Sequence, residues 1–240
     1  LVHQQNQSKW FLKLDIKDFF PSCNYNFIMQ QISQIFPFNL LLTNTDAKPI
    51  IEKIIKLSLL ENTLPQGTPM SPLLTNIIML PIDYTIQNRL QNFDKQSFKY
   101  TRYADDLLIS CRYTFNWQLV QQEINKIFKD HNAPFKIKTE KTRYGSANGR
   151  NWNLGLMLNK DNKITIGHKQ KQRLKAMLFN FFRDLTNGTS WSILDTQTLI
   201  GQLSYARKIE PEYTNFMLER LENKFNKNFQ ECAKRILKQI

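Results

Sequence analysis

The sequence predicts an α+β chain: a small antiparallel sheet backed by helices, followed by a mostly helical tail. Three features carry that expectation. Short runs of aromatic and aliphatic residues end in acid at Asp15 and flank the pair Asp105-Asp106. Apolar residues recur at helical spacing between and after these runs. From residue 166 onward the periodicity is helical. At 240 residues the chain can bury the core of one large domain or of two lobes.

Each element has its own warrant. Trp10, Leu12 and Leu14 alternate along the first strand, which puts Asp15 on the opposite face. Residues 25–36 read as a helix with Ile28, Ile32, Ile35 and Phe36 inward, stopped by Pro37, and 38–46 read as loop. A second helix is expected over 49–60, with Ile51, Ile54 and Ile55 as its buried stripe. Pro65, Gly67 and Pro69 mark a sharp-turning hinge, after which Ser71-Pro72 reads as a hydroxyl cap and a first-turn proline. That helix continues through Leu74, Ile77 and Ile78, and Pro81 should kink or interrupt it near Ile77.

Residues 100–110 then read as a hairpin with Asp105 and Asp106 at its tip. From Trp117 to Asp130 an amphipathic helix turns Val120, Ile124, Ile127 and Phe128 inward. Residues 135–144 alternate apolar and basic, as a strand would, and 153–166 read as a hairpin turning through Asp161-Asn162. Helices follow over 169–184 (Leu174, Met177, Leu178 and Phe181 buried), from a capping Asp195 through Leu199, Leu203 and Ala206, and from Glu212 onward.

Composition narrows the function. Thirty-three basic residues against 20 acidic ones give a net charge of +13, a standing attraction for a polyanion. Eleven of the basic residues fall between Lys136 and Lys175, opposed only by Glu140 and Asp161. The three cysteines are far apart, match no zinc spacing and point to a reduced compartment, so a cytoplasmic location is expected. No apolar run approaches membrane-spanning length and no signal-peptide pattern opens the chain, so no membrane partner is expected. The first residue is Leu1 rather than Met, and the expectation is that sequence precedes it.

Asp105 and Asp106 carry the chemistry. Adjacent carboxylates repel, and each resists ionising beside the other. A divalent cation removes the repulsion, and hard oxygen ligands suit Mg²⁺. Alone, such a pair is more often an ordinary turn than a metal site. Asp15, on a neighbouring strand, would complete a three-carboxylate cluster able to hold two ions roughly 3.5–4 Å apart for in-line phosphoryl transfer.

Three blocks carry a resemblance. Leu14-Asp15-Ile16-Lys17-Asp18-Phe19-Phe20-Pro21-Ser22, Leu64-Pro65-Gln66-Gly67-Thr68-Pro69-Met70-Ser71-Pro72 and Tyr103-Ala104-Asp105-Asp106 occur in the order and at the intervals of a reverse transcriptase of the bacterial retron and group II intron kind. The chain resembles that family from about Trp10 to its end.

The resemblance implies a right-hand polymerase: a palm with partial fingers over 1–165, an antiparallel sheet packed on helices, and a helical thumb over 166–240. It implies Mg²⁺ as cofactor, two ions, with Mn²⁺ as a substitute, held by Asp15, Asp105, Asp106 and the Ile16 backbone carbonyl. Lys141 would offset or protonate the leaving pyrophosphate; as a plain strand-edge lysine it would do neither. Phe20 would stack under the incoming sugar and exclude a 2′-hydroxyl, with Phe19 as core. Gln66, Gly67, Tyr103 and Ala104 would lie near the nucleotide and the primer end. Leu154, Gly155 and Leu156 would grip the primer, although Asn153-Leu154-Gly155 stands where retron enzymes often have Val-Thr-Gly. Arg143, Lys169, Lys171, Arg173 and Lys175 would contact the nucleic-acid backbone. His3 matches a histidine that precedes the first catalytic strand in retron enzymes; its alternative is a solvated loop residue. Gly201-Gln202-Leu203-Ser204-Tyr205 resembles the family's thumb helix.

The partners implied are an RNA template, a DNA or RNA primer, deoxynucleoside triphosphates and a dedicated structured RNA. A retron or phage-defence enzyme and a group II intron maturase both fit, and the chain shows no intron-type DNA-binding or nuclease block. An RNA-dependent RNA polymerase and a non-catalytic RNA-binding palm remain open alternatives. Phe20 argues against the first, and the full set of carboxylates against the second.

Overall fold

The computed structural model describes residues 3, 7–91, 93, 97–147, 156–159, 161 and 163–238. Contacts divide the chain into two compact units, Leu1–Ala147 and Asn148–Ile240.

Strand β1 (Trp10–Asp15) is an inner strand of the first unit's antiparallel sheet. Its neighbours are β3 (Asp106–Cys111) and β4 (Arg143–Ser146), and β2 (Lys99–Tyr103) pairs with β3, so the order is β2-β3-β1-β4. β1 alternates as expected. Leu12 and Leu14 are fully buried, while Lys13 and Asp15 lie on the other face. Register places Leu12 opposite Ile109 and Leu14 opposite Leu107, all without exposed surface.

Among the described residues, seven α-helices cover or flank this sheet: α1 (Phe19–Ser22), α2 (Tyr25–Ile32), α3 (Phe38–Leu41), α4 (Ala47–Leu57), α5 (Met70–Ile78), α6 (Leu80–Gln91) and α7 (Trp117–Asp130). In α7, Val120, Ile124, Ile127 and Phe128 face inward as their spacing predicts, and Asn116 caps the helix by accepting the Gln118 and Leu119 N–H groups. Each such buried aliphatic or aromatic side chain contributes about 1.5–3 kcal/mol.

Several expectations need correction. α2 stops at Ile32, so Phe36 lies beyond the helical face and is 75% exposed. The stretch expected as loop contains α3. In α4 only Ile51 and Ile55, one turn apart, pack on the core, and Ile54 points outward. Ser71 does not cap α5. It sits inside the helix, buried, and donates to the Pro65 carbonyl at 2.6 Å, closing the hinge instead. The helix is interrupted as expected: α5 ends at Ile78, Met79 follows as its cap, and α6 begins at Leu80 with Pro81 in its first turn. Residues 135–144 are not one strand. Ile137 bridges Ile16, Thr139–Lys141 form a 3₁₀ turn, and pairing with β1 resumes at Arg143.

The second unit holds the hairpin β5 (Met157–Leu158) and β6 (Ile164–Thr165), then α8 (His168–Thr186), α9 (Ile193–Ile209), α10 (Pro211–Phe225) and α11 (Phe229–Leu237). The hairpin falls on this side of the division, where 1–165 and 166–240 had been the expected spans. Phe181 is the hub of the core, in ring contact with Phe182, Trp191 and Phe229. Gly167, with φ +79°, begins α8 where a Cβ would meet the Met157 sulfur at 2.3 Å. The cap of α9 is Ser192 rather than Asp195: the Ser192 hydroxyl accepts the Asp195 N–H and donates to its carboxylate. The last segment is broken at Asn226, which takes a left-handed conformation between α10 and α11.

Glu210 ties the hairpin to these helices. Its carboxylate accepts from the Thr165 hydroxyl (2.8 Å), the Ile166 N–H (3.0 Å) and the Lys171 ammonium (2.6 Å). Burial alone would raise this carboxyl, but the bonds from Lys171, Thr165 and Ile166 carry it below the ordinary glutamate range. A depressed folded-state pKa means that the stabilisation is fully present above the unfolded value and is lost as pH falls through the folded one. Glu210→Ala should therefore destabilise this unit by about 1.5–3 kcal/mol at pH 7. The deficit against the parent should shrink as the medium is taken below the usual glutamate range. Hydrogen exchange of α8 and β6 amides across pH measures it, and equal protection at pH 7 would show that the carboxylate holds nothing.

Candidate active site

The register of β1 against β3 puts Asp15 directly opposite Asp106. Directly opposed residues share a sheet face, so both carboxylates project on the side away from Leu12 and Leu14. Asp105 occupies the turn between β2 and β3, and its carbonyl accepts the Ile16 N–H at 2.9 Å. The end of β1 is thereby stitched to the hairpin turn. On the other flank, Lys17 donates to the Lys136 carbonyl and Lys138 to the Asp15 carbonyl, both at 2.8 Å, which brings the Thr139–Lys141 turn beside Asp15.

Two ammonium groups reach into the cluster. Lys141 Nζ lies 2.9 Å from an Asp15 oxygen, and Lys13 Nζ lies 2.6 Å from an Asp106 oxygen. Lys13 was not singled out from the sequence, yet it shares the Asp15 face of β1 by alternation, which was the available signal. Burial raises the Asp105 carboxyl above the usual carboxylate range, and the charges of Asp15 and Asp106 push the same way. Lys141 is held above the ordinary lysine range, first by its hydrogen bond to Asp15 and then by that residue's charge.

Among the described residues no three acidic, histidine or cysteine side chains are arranged to hold a metal ion. The donor chemistry nonetheless fits a hard divalent cation. All three side chains offer oxygen, and a shared cation would offset both the burial that chiefly raises Asp105 and the repulsion from Asp15 and Asp106 that adds to it.

Other residues singled out from the sequence are placed as follows. Tyr103 pairs with Asp106 at the mouth of the hairpin and is 58% exposed, and Ala104 takes φ +50°. Phe19 is buried, while Phe20 is partly exposed and packs edge-on against it at 5.5 Å. Gln66 and Gly67 are exposed on a loop closed by Ser71, with Gly67 at φ +87°. Arg143 is exposed at the start of β4, opposite Lys13. His3 is not a solvated loop residue. Its ring bonds the Ser110 and Thr101 hydroxyls on β3 and β2, and burial lowers its pKa to about 4.

In the second unit, Leu156 is partly buried, whereas Leu154 and Gly155 lie outside the described residues. Lys169, Arg173 and Lys175 are exposed on α8. Lys171 is not free to meet a ligand: it is paired with Glu210 and lies 4.5 Å over the Tyr213 ring. Among the described residues no helix is long and apolar enough to cross a membrane.

Comparison with known proteins agrees with this geometry. A family model described as reverse transcriptase (RNA-dependent DNA polymerase) matches residues 1–180. The chain is 27% identical over 215 residues to the retron Ec73 reverse transcriptase of Escherichia coli, covering 89% of this chain and 66% of that protein. It is 25% identical over 222 residues to the retron Ec86 reverse transcriptase of the same organism, covering 86% and 62%. The chain thus spans about two thirds of the length of these relatives. A solved structure of apo telomerase from Candida tropicalis has a TM-score of 0.54 at 12% identity, over 98% of this chain and 48% of that one, a likeness of fold. A paired-carboxylate sheet end, met by a family match over residues 1–180, places the chain in the reverse transcriptase (RNA-dependent DNA polymerase) family.

Proposed function

We propose that the protein is an RNA-directed DNA polymerase that adds deoxynucleotides to a DNA or RNA primer on an RNA template. A retron-like setting is the one that the names of its relatives support, and a phage-defence role and a dedicated structured RNA as partner are proposed in addition. The observation that carries the activity is the facing of Asp15 and Asp106 across β1 and β3, with Asp105 beside them in the turn.

Asp15, Asp105 and Asp106, with the Ile16 carbonyl, are the groups that would hold Mg²⁺, as two ions, with Mn²⁺ as a substitute. Bound there, the ions supply an activated 3′-hydroxyl and charge neutralisation at the leaving pyrophosphate. The chain's own residues do the rest. Lys141, paired with Asp15, is the cation placed to offset the charge of the leaving pyrophosphate or to protonate it. Tyr103 and Ala104 form the surface on which the primer end and nucleotide rest. Phe20, braced by buried Phe19, presents the ring that excludes a 2′-hydroxyl. Gln66 and Gly67 contribute an exposed loop to the nucleotide and template.

In the second unit, Lys169, Arg173 and Lys175 supply phosphate contacts that carry no sequence choice. Cations near a helix N-terminus oppose the helix dipole, so placing Lys169 in the first turn of α8 costs stability. A polyanion held there would offset that cost. Leu154, Gly155 and Leu156 remain the segment proposed to grip the primer.

Primer extension with Mg²⁺ by the full-length protein tests the reading. Asp15→Asn and Asp105→Asn should each lower the rate by at least about 100-fold while leaving the melting curve in place. Near-parental extension by either variant would remove that residue from the chemistry. Phe20→Val should raise ribonucleotide incorporation relative to deoxynucleotide incorporation. An unchanged ratio in an active variant would make Phe20 part of the core alone.

A further inference from the structure

The turn that carries Asp105 is held from behind. Tyr100 and Arg102 alternate onto one face of β2, and both reach Asp83 in the first turn of α6. The Tyr100 hydroxyl donates to Asp83 at 2.6 Å. Arg102 Nε lies 3.0 and 3.1 Å from the two Asp83 oxygens, and Nη2 lies 2.8 Å from one of them. The remaining arm, Nη1, donates to the Ala104 carbonyl at 3.1 Å. The Arg102 side chain is only 6% exposed, so these bonds form where water competes little.

Ala104 needs such support. Its φ of +50° places a residue with a Cβ in the left-handed region, at roughly 1–2 kcal/mol. The carbonyl that Arg102 holds belongs to the peptide leading directly into Asp105. The next carbonyl, that of Asp105 itself, accepts the Ile16 N–H. Two successive peptides are therefore pinned, one to α6 through Arg102 and one to β1.

We propose that Arg102, clamped by Asp83 and Tyr100, is a positioning residue that fixes the Ala104-Asp105 turn and thereby sets where the Asp105 carboxylate stands. The planar guanidinium is essential to this. It grips Asp83 with one edge while its other arm reaches the Ala104 carbonyl, and a lysine ammonium has no such fork. The proposal rests on the polymerase reading only for its effect on activity.

Arg102→Lys, which keeps the charge beside Asp83, is the test. In metal-free protein the Ile16 amide should exchange at least about 10-fold faster, while amides in the middle of β1 keep their protection. In the same preparation Mg²⁺-dependent extension should fall about 10–100-fold, with template–primer affinity within about twofold of the parent. Tyr100→Phe, which keeps the ring and removes one donor to Asp83, should shift Ile16 exchange in the same direction by less, and it decides the matter if the lysine variant does not fold. Parental Ile16 exchange in a folded variant overturns the proposal. So does a uniform loss of protection across β1 and β3, which would make Arg102 a general stabilising residue. If the parent itself extends no primer while Ile16 exchange still responds to Arg102→Lys, the activity reading fails and the positioning role stands.

Discussion

Everything functional in the first unit depends on one register. β1 and β3 pair so that Leu12 meets Ile109 and Leu14 meets Leu107, and the same register makes Asp15 meet Asp106. A slip by one residue would turn the leucines to solvent and the carboxylates into the core. The apolar face therefore holds the acidic face in place. Burial of Leu12, Leu14, Leu107 and Ile109 fixes a juxtaposition of like charges that no local interaction between the aspartates would favour.

That juxtaposition needs counter-charge, and the chain provides some of it. Lys13, two residues before Asp15 on the same face, and Lys141, from the turn beside it, each neutralise one carboxylate oxygen. Lys141, whose side chain is 53% exposed, can release its oxygen to a stronger cation, because an exposed ammonium binds a carboxylate only weakly against water. Asp105 has no such partner among the described ion pairs, and its carboxyl is the one held above the ordinary range. The turn that bears it is held by hydrogen bonds through backbone carbonyls, to Ile16 on one side and Arg102 on the other.

Much of this was legible in the sequence where the signal was periodic. Alternation gave β1, and helical spacing gave α7 with each of its buried residues. Adjacent acids between two apolar runs gave the hairpin. Legibility failed where a side chain makes a long-range bond in place of the local one its type suggests. Ser71 reads as a cap but reaches back to Pro65. Lys171 reads as a free cation but is drawn to Glu210, far along the chain. Residues 135–144 alternate like one strand, yet a 3₁₀ turn interrupts them and delivers Lys141 to Asp15. The Arg102–Asp83 pair was invisible for the same reason: nothing local in either segment announces the other.

Under the proposed function, the sheet register brings Asp15, Asp105 and Asp106 together to hold divalent cations. Crystals of the full-length protein with a template–primer and Mn²⁺ test this through the anomalous scattering of the metal. Anomalous density is expected within direct ligand distance of these three carboxylates, with the Lys13 and Lys141 ammonium groups withdrawn from Asp106 and Asp15. Manganese bound elsewhere, with both lysine pairs intact beside an ordered primer end, would contradict it.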